Sequence, residues 1–235
     1  MTHVSGRRGP IAEILPGRRE RRKAETKEKL FRTAMRLFAE RGFFETTTED
    51  ITEAADVGLG TFFNYFPSKQ HVLALLSEKQ LEKVKSARRA AEAGTVPVRE
   101  VLESLMHAIA DEPGKSQALT RSLVTGLVSN DQVREIVRNT MAAGRAYVAE
   151  ILAAGQERGE IRRDRDAASL AMAFQRSVLG TLLLWAIQIK GNLHAWLEET
   201  FTDFWAAAEV REDLKDDKFG DGSSKNFRKP QRTDS

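Results

Sequence analysis

The stretch TTTEDITEAADVGLGTFFNYFPSK, residues 46–69, decides the fold. Three threonines open it, a glycine-broken turn divides it, and Phe62, Phe63, Tyr65 and Phe66 crowd its end. Thr47 with Asp50 three residues later is an acidic variant of the capping box, so a helix starts there. Ile51, Ala54 and Ala55 give it a short apolar face, which stops at Asp56-Val57-Gly58. Aspartate tolerates the left-handed backbone that a tight turn asks for, and Gly58 is a permissive N-cap for a second helix from about Leu59 to Phe66, closed by Pro67. Two short helices across a tight turn form a helix-turn-helix, whose second helix can enter a major groove. Phe62 and Phe66, four apart, share a face and are expected to pack inward on Phe38 and Ile51, with Phe63 at the flank. Thr61, Asn64 and Tyr65 are left to project outward with Leu59 and Gly60.

Upstream, residues 1–17 hold three Gly and two Pro without periodicity and read as a flexible basic arm. From Arg18 the pattern turns helical, with Leu30, Phe31, Ala34, Leu37 and Phe38 on one stripe and Gly42 as the stop. Downstream, Ser68 is placed to cap a long helix running to about Ala93, which completes the helix-turn-helix unit over 18–93. GTVP at Gly94–Pro97 is the expected joint to a second unit over 97–210. There every segment reads as helix, at about 97–110, 116–128, 131–157, 167–190 and 193–209, and nothing alternates with period two. The class is all-α. Residues 211–235 are charged and poor in large apolar groups, the composition of a disordered tail.

Cysteine is absent from the 235 residues, which excludes disulfides, thiolate catalysis and Cys-based metal sites. The four histidines stand far apart, with no HxxxH or HExxH spacing. No nucleophile elbow and no glycine-rich phosphate loop occurs, so neither enzyme chemistry nor a metal or cofactor is expected. The polar, arginine-rich N-terminus has no apolar core of a signal peptide. The longest apolar run, Val178–Ile189, is too short to span a bilayer, so a soluble, intracellular protein is expected. Charge is uneven: residues 1–44 carry 12 Lys/Arg against 5 Asp/Glu, while 96–210 carry 12 against 15. A basic head on a mildly acidic body suits a polyanionic partner at one end.

The run from about Thr26 to Leu76 resembles the DNA-binding domain of the TetR family of bacterial transcriptional regulators. The likeness is carried by Phe38-Ala39-Glu40-Arg41-Gly42-Phe43, Thr46-Thr47, Ile51, Ala54-Ala55, Val57, Gly60-Thr61, Phe66, Ser68-Lys69 and Leu73. It implies a three-helix, homeodomain-like helix-turn-helix followed by a helical ligand-binding and dimerisation bundle. It further implies a ligand-responsive regulator, most often a repressor, that binds a palindromic operator as a homodimer and is released by a small apolar effector. Thr47 and Thr48 match positions that touch the phosphate backbone, and Gly60, Thr61 and Asn64 match positions facing base edges. Tyr65 and Lys69 match phosphate contacts that orient the helix. Phe63 stands where the family usually has Tyr, and Leu59 where a polar residue is common. These departures keep open a second reading, a helical ligand-binding or interaction module with weak or no operator binding. The basic residues Arg18, Arg19, Arg21, Arg22 and Lys23 are candidates to supplement the backbone contacts.

Leu193, Trp196, Leu197, Thr200, Phe201, Phe204, Trp205 and Ala208 make a wide apolar stripe, and the preceding helix is apolar nearly all round. The pair is expected to form a two-fold dimer interface through Leu179, Leu183, Trp196, Phe201, Phe204 and Trp205, the alternative being a stripe that packs wholly within one chain. An effector pocket is expected between the 97–110 and 167–190 helices. His107, Arg121, Arg145, Gln175, Arg176 and Trp185 are its candidate polar and aromatic groups. Acidic residues are scarce on these apolar faces, which favours a neutral or anionic ligand.

Overall fold

The computed structural model describes residues 17–188 and 191–210; the arm before residue 17 and the tail over 211–235 lie outside the described residues. Among the described residues nine α-helices follow one another: α1 Arg18–Arg41, α2 Thr48–Ala54, α3 Leu59–Phe63, α4 Lys69–Ala93, α5 Val98–Ala110, α6 Gln117–Ser129, α7 Asp131–Glu157, α8 Ala167–Ile187 and α9 Leu193–Ala208. Among the described residues no strand forms; one isolated antiparallel bridge joins Ile161 to Glu209.

Local chemistry sets most boundaries. The first buried side chain of α1 is Leu30, so its basic opening turns project beyond the core. Gly42, at φ 91°, ends it where a side chain would be strained. The capping box at Thr47 and Asp50 forms, and Asp56 takes the left-handed turn position at φ 50°. Regular helix in α3 stops at Phe63 rather than Phe66, although the Tyr65 and Phe66 amides still bond the Phe62 carbonyl at 2.9 Å. Ser68 sits at the N-cap of α4, but its hydroxyl pairs with His71 Nδ1 at 2.9 Å instead of a backbone amide. Gly94, left-handed at φ 67°, closes α4, and Pro97 opens α5.

Two apolar cores result. One joins α5, α7, α8 and α9 around Leu102, Ile151, Phe174, Leu197 and Phe201. The other holds Phe31, Phe38, Ile51, Phe62 and Phe66, and is completed by Leu119 of α6 and Val133 of α7. The helix-turn-helix head is therefore seated on the second unit, not only tethered through Gly94–Pro97. Gly126 of α6 is buried there; a Cβ on it would stand 3.3 Å from the Phe43 ring. By length and composition α8 could cross a membrane, but Leu170, Phe174, Val178, Leu182 and Trp185 bury one of its faces inside the bundle.

Candidate functional site

The head presents one end of α2 and the outer face of α3. The Thr47 hydroxyl accepts from the Asp50 amide at 3.0 Å, and the Asp50 carboxylate accepts from the Thr47 amide and hydroxyl at 2.8 Å each. Arg41 adds an ion pair to Asp50 at 3.0 Å. The amide of Thr47, above all, holds this carboxyl below the usual aspartate range. Thr48 begins α2, half-buried. Phe62 and Phe66 are buried in the head's core as their spacing demands. Leu59, Gly60 and Asn64 are exposed, while Thr61 and Tyr65 are half-buried. Phe63, expected at the flank, is the most open ring of the four at 50% exposure, edge-on to Phe62. The fully exposed side chains from Leu59 to Asn64 are thus one carboxamide and two apolar groups, Leu59 and Phe63.

Lys69 is placed differently from its expected role. Its ammonium donates to the carbonyls of Phe43, Phe44 and Thr46 at 2.8, 3.0 and 2.8 Å and lies 4.9 Å over the Phe43 ring. An ammonium has three N–H groups, and all three are spent on the loop between α1 and α2. Burial pushes its pKa down. On the first turns of α1 the side chains of Arg18, Arg19, Arg21, Arg22 and Lys23 are exposed.

Behind the head lies a cavity of about 260 Å³, walled by α4, α6, α7 and α8 through Leu76, Leu81, Leu123, Val137, Val178 and Leu182. At the expected location between α5 and α8, the side chains of Val101, Leu102, Leu105 and Met106 are buried in the core. Ile109 is the α5 residue that reaches the cavity. Of the candidate ligand groups, Arg145 and Gln175 line it: Arg145 donates to Gln175 Oε1 at 2.9 Å, and Gln175 Nε2 donates to the Met141 carbonyl at 3.1 Å. The other four lie elsewhere. His107 meets His194, with Nδ1 atoms 3.5 Å apart. Arg121 donates to the Ala186 carbonyl at 2.9 Å, securing the end of α8. Trp185 is buried in the core and bonds the Gly191 carbonyl through its indole N–H at 3.1 Å. Arg176 is exposed on α8 and does not line the cavity. Sequence inspection missed Ser77 and Gln80, polar wall residues on α4, since nothing in that helix's pattern separates cavity-facing from solvent-facing positions.

The stripe on α9 is corrected as well. Phe201, Phe204 and Trp205 are buried within this chain, against α5 and α8, and Trp196 is half-buried. Open apolar surface instead lies on α8, where Leu179, Leu183, Leu184 and Ile187 are exposed, Ile187 by 64%. Leu179 and Leu183 also contribute to the cavity wall.

Residues 30–76 match the model of bacterial regulatory proteins of the tetR family, and residues 93–186 match that of the tetracyclin repressor-like C-terminal domain. The regulator TcmR of Streptomyces glaucescens is 44% identical over 57 residues, 24% of this chain and 25% of that protein. The repressor KstR of Mycolicibacterium smegmatis is 30% identical over 104 residues, 43% of this chain and 51% of that one. This chain therefore spans a quarter to a half of these two relatives in the matched regions. Among solved structures, Thermus thermophilus FadR in complex with lauroyl-CoA is 32% identical, with a TM-score of 0.56, over 79% of this chain and 96% of that one.

Proposed function

The chain belongs to the TetR family of bacterial transcriptional regulators, and from that premise we propose a homodimeric repressor that leaves its operator when an acyl-type effector fills the cavity behind the head. One observation carries the reading: α4 and α6 each serve both sites. Leu73 of α4 and Leu119 of α6 belong to the head's core, while Leu76 and Leu81 of α4 and Leu123 and Leu127 of α6 wall the cavity. A ligand that spreads these helices changes the seat of α3, and in a dimer the two heads must meet major grooves about one helical turn, or a multiple of it, apart. The lever is the first half of α4, where the cavity lies, and not its far end.

The wall is almost wholly apolar, with the guanidinium of Arg145 at its edge. That suits an acyl chain with a polar or anionic head, the chemistry of the lauroyl-CoA bound by the Thermus relative. Base reading falls to Asn64 and Thr61, which can address an adenine edge and a thymine methyl. Thr47, Thr48 and Tyr65 are backbone contacts, and the arginines opening α1 add charge. Lys69 acts indirectly, by holding the loop before α2. The exposed face of α8 is the dimer surface. Such a regulator works in the cytoplasm, on double-stranded operator DNA.

The test is to titrate lauroyl-CoA against free and operator-bound protein, with the operator first found by gel shift on the upstream region of the protein's own gene. Linkage requires weaker ligand binding to the DNA complex, by the same factor that ligand weakens DNA binding. Equal affinities in the two states would sink the coupling. Absence of any gel shift would leave the helical ligand-binding module in its place.

A further inference from the structure

Within the cavity one polar atom has no partner. The Gln80 side chain, on α4, donates from Nε2 to the carbonyl of Ile109 at 3.1 Å, while its Oε1, shut off from solvent, bonds no group among the described residues. Gln80 is part of the cavity wall. The amide cannot simply be turned over to use both ends otherwise. Ile109 lies in the last turn of α5, and the residue four further on, which would normally donate to its carbonyl, is Pro113, which has no N–H. Gln80 Nε2 supplies that missing donor, and an inverted amide would set oxygen against oxygen. Oε1 is thereby committed as an acceptor.

Apart from Ser77, the other polar side chains in the wall are engaged. Thr120 donates to the Pro113 carbonyl at 2.6 Å, Thr140 to the Ile136 carbonyl at 3.1 Å, and Gln175 uses both ends of its amide. A buried acceptor without a donor is costly, and an apolar ligand over it would seal that cost in. Ser77 lines the same cavity one turn earlier on α4, so the polar spot combines an acceptor with a hydroxyl able to donate. A hydroxyl group, which gives one hydrogen bond and accepts another, matches that pair.

We infer that the effector carries a hydroxyl that donates to Gln80 Oε1, so the cavity takes an apolar alcohol or a hydroxylated acyl chain in preference to a plain saturated one. This rests on the apolar-effector reading of the cavity and narrows it. A probe pair isolates the single donor: 1-octanol and its isomer heptyl methyl ether have the same formula and differ only in the O–H. Both probes have nine non-hydrogen atoms and are small enough to enter a cavity of about 260 Å³. Calorimetric titration of the full chain should show octanol binding roughly fivefold or more tightly than the ether, the scale of one net hydrogen bond. In Gln80→Met the preference should vanish while the ether still binds, which also reports that the cavity has survived the substitution. Equal affinities for the two isomers in the unsubstituted protein would overturn the inference and leave the apolar-effector reading standing. Binding of neither isomer would remove that reading and this inference with it.

Discussion

The Lys69 ammonium shows how a residue's neighbours decide its task. A lysine at the base of a recognition helix suits a phosphate, yet three carbonyls of the preceding loop take all its donors. Lys69→Met should therefore lower stability by about 1–3 kcal/mol, since part-buried carbonyls of the loop lose a charged donor. Thermal melting measures that loss. The salt dependence of DNA binding should keep its slope; a fall of about one in the slope would instead mean that Lys69 neutralises a phosphate. Asn64 and Tyr65 divide differently. Asn64→Ala should relax preference at one operator position by about 1–3 kcal/mol, whereas Tyr65→Phe should weaken all sequences alike. Binding profiles over a randomised operator library separate the two, and identical profiles would contradict the division.

Among the elements, α2 has an ionised group tied into its N-terminus. It has seven residues, too few to stand alone, and its N-terminus is tied by the Thr47–Asp50 box. The Asp50 carboxyl, bonded first of all to the Thr47 amide, titrates below its ordinary value of 3.8. The folded state then binds fewer protons than the unfolded chain between those two values, so stability rises with pH there. The contribution is complete above the unfolded value and disappears as pH falls through the folded one. Asp50→Asn should make the acid limb of a melting-temperature profile shallower than in the parent protein. An unchanged limb would show that the box does not report on folding. Since α2 seats α3, operator binding should weaken in the variant over the same pH range where the parent retains it.

For the molecule as a whole, the two apolar faces of the α8–α9 pair have different fates. Phe204 is buried within the chain, so Phe204→Ala should destabilise the fold itself by about 3–5 kcal/mol. Leu184 and Ile187 are exposed, so a double change to glutamate should split the dimer with little effect on the melting of each subunit. Sedimentation at several concentrations, read beside the melting curves, distinguishes these outcomes. A dimer that survived both glutamates would place the interface elsewhere. Loss of the dimer should also reduce operator affinity steeply, because a single head meets one half-site only.

Much of the head was legible from residues 46–69 because its determinants are local. The capping pair three apart, the aspartate at φ 50°, the glycine N-cap and the inward phenylalanines four apart act over one helical turn, and short-range spacing records them. The all-α class followed from the same short-range periodicity. Other features depend on partners far along the chain. Lys69 meets carbonyls 23 to 26 residues away, and Arg145 meets Gln175 thirty residues on. The α9 aromatics form a stripe that would serve an interface or a core equally well, and only the packing of α5 and α8 against it decided for core. The cavity moved from α5–α8 to α4, α6, α7 and α8 for the same reason: apolar periodicity says that a face is covered, and the crossing of helices says by what. Sequence alone determined which helices form and how the head turns; tertiary structure decided which charges are free, where the hollow lies and which apolar face remains open, because those depend on contacts that no local spacing encodes.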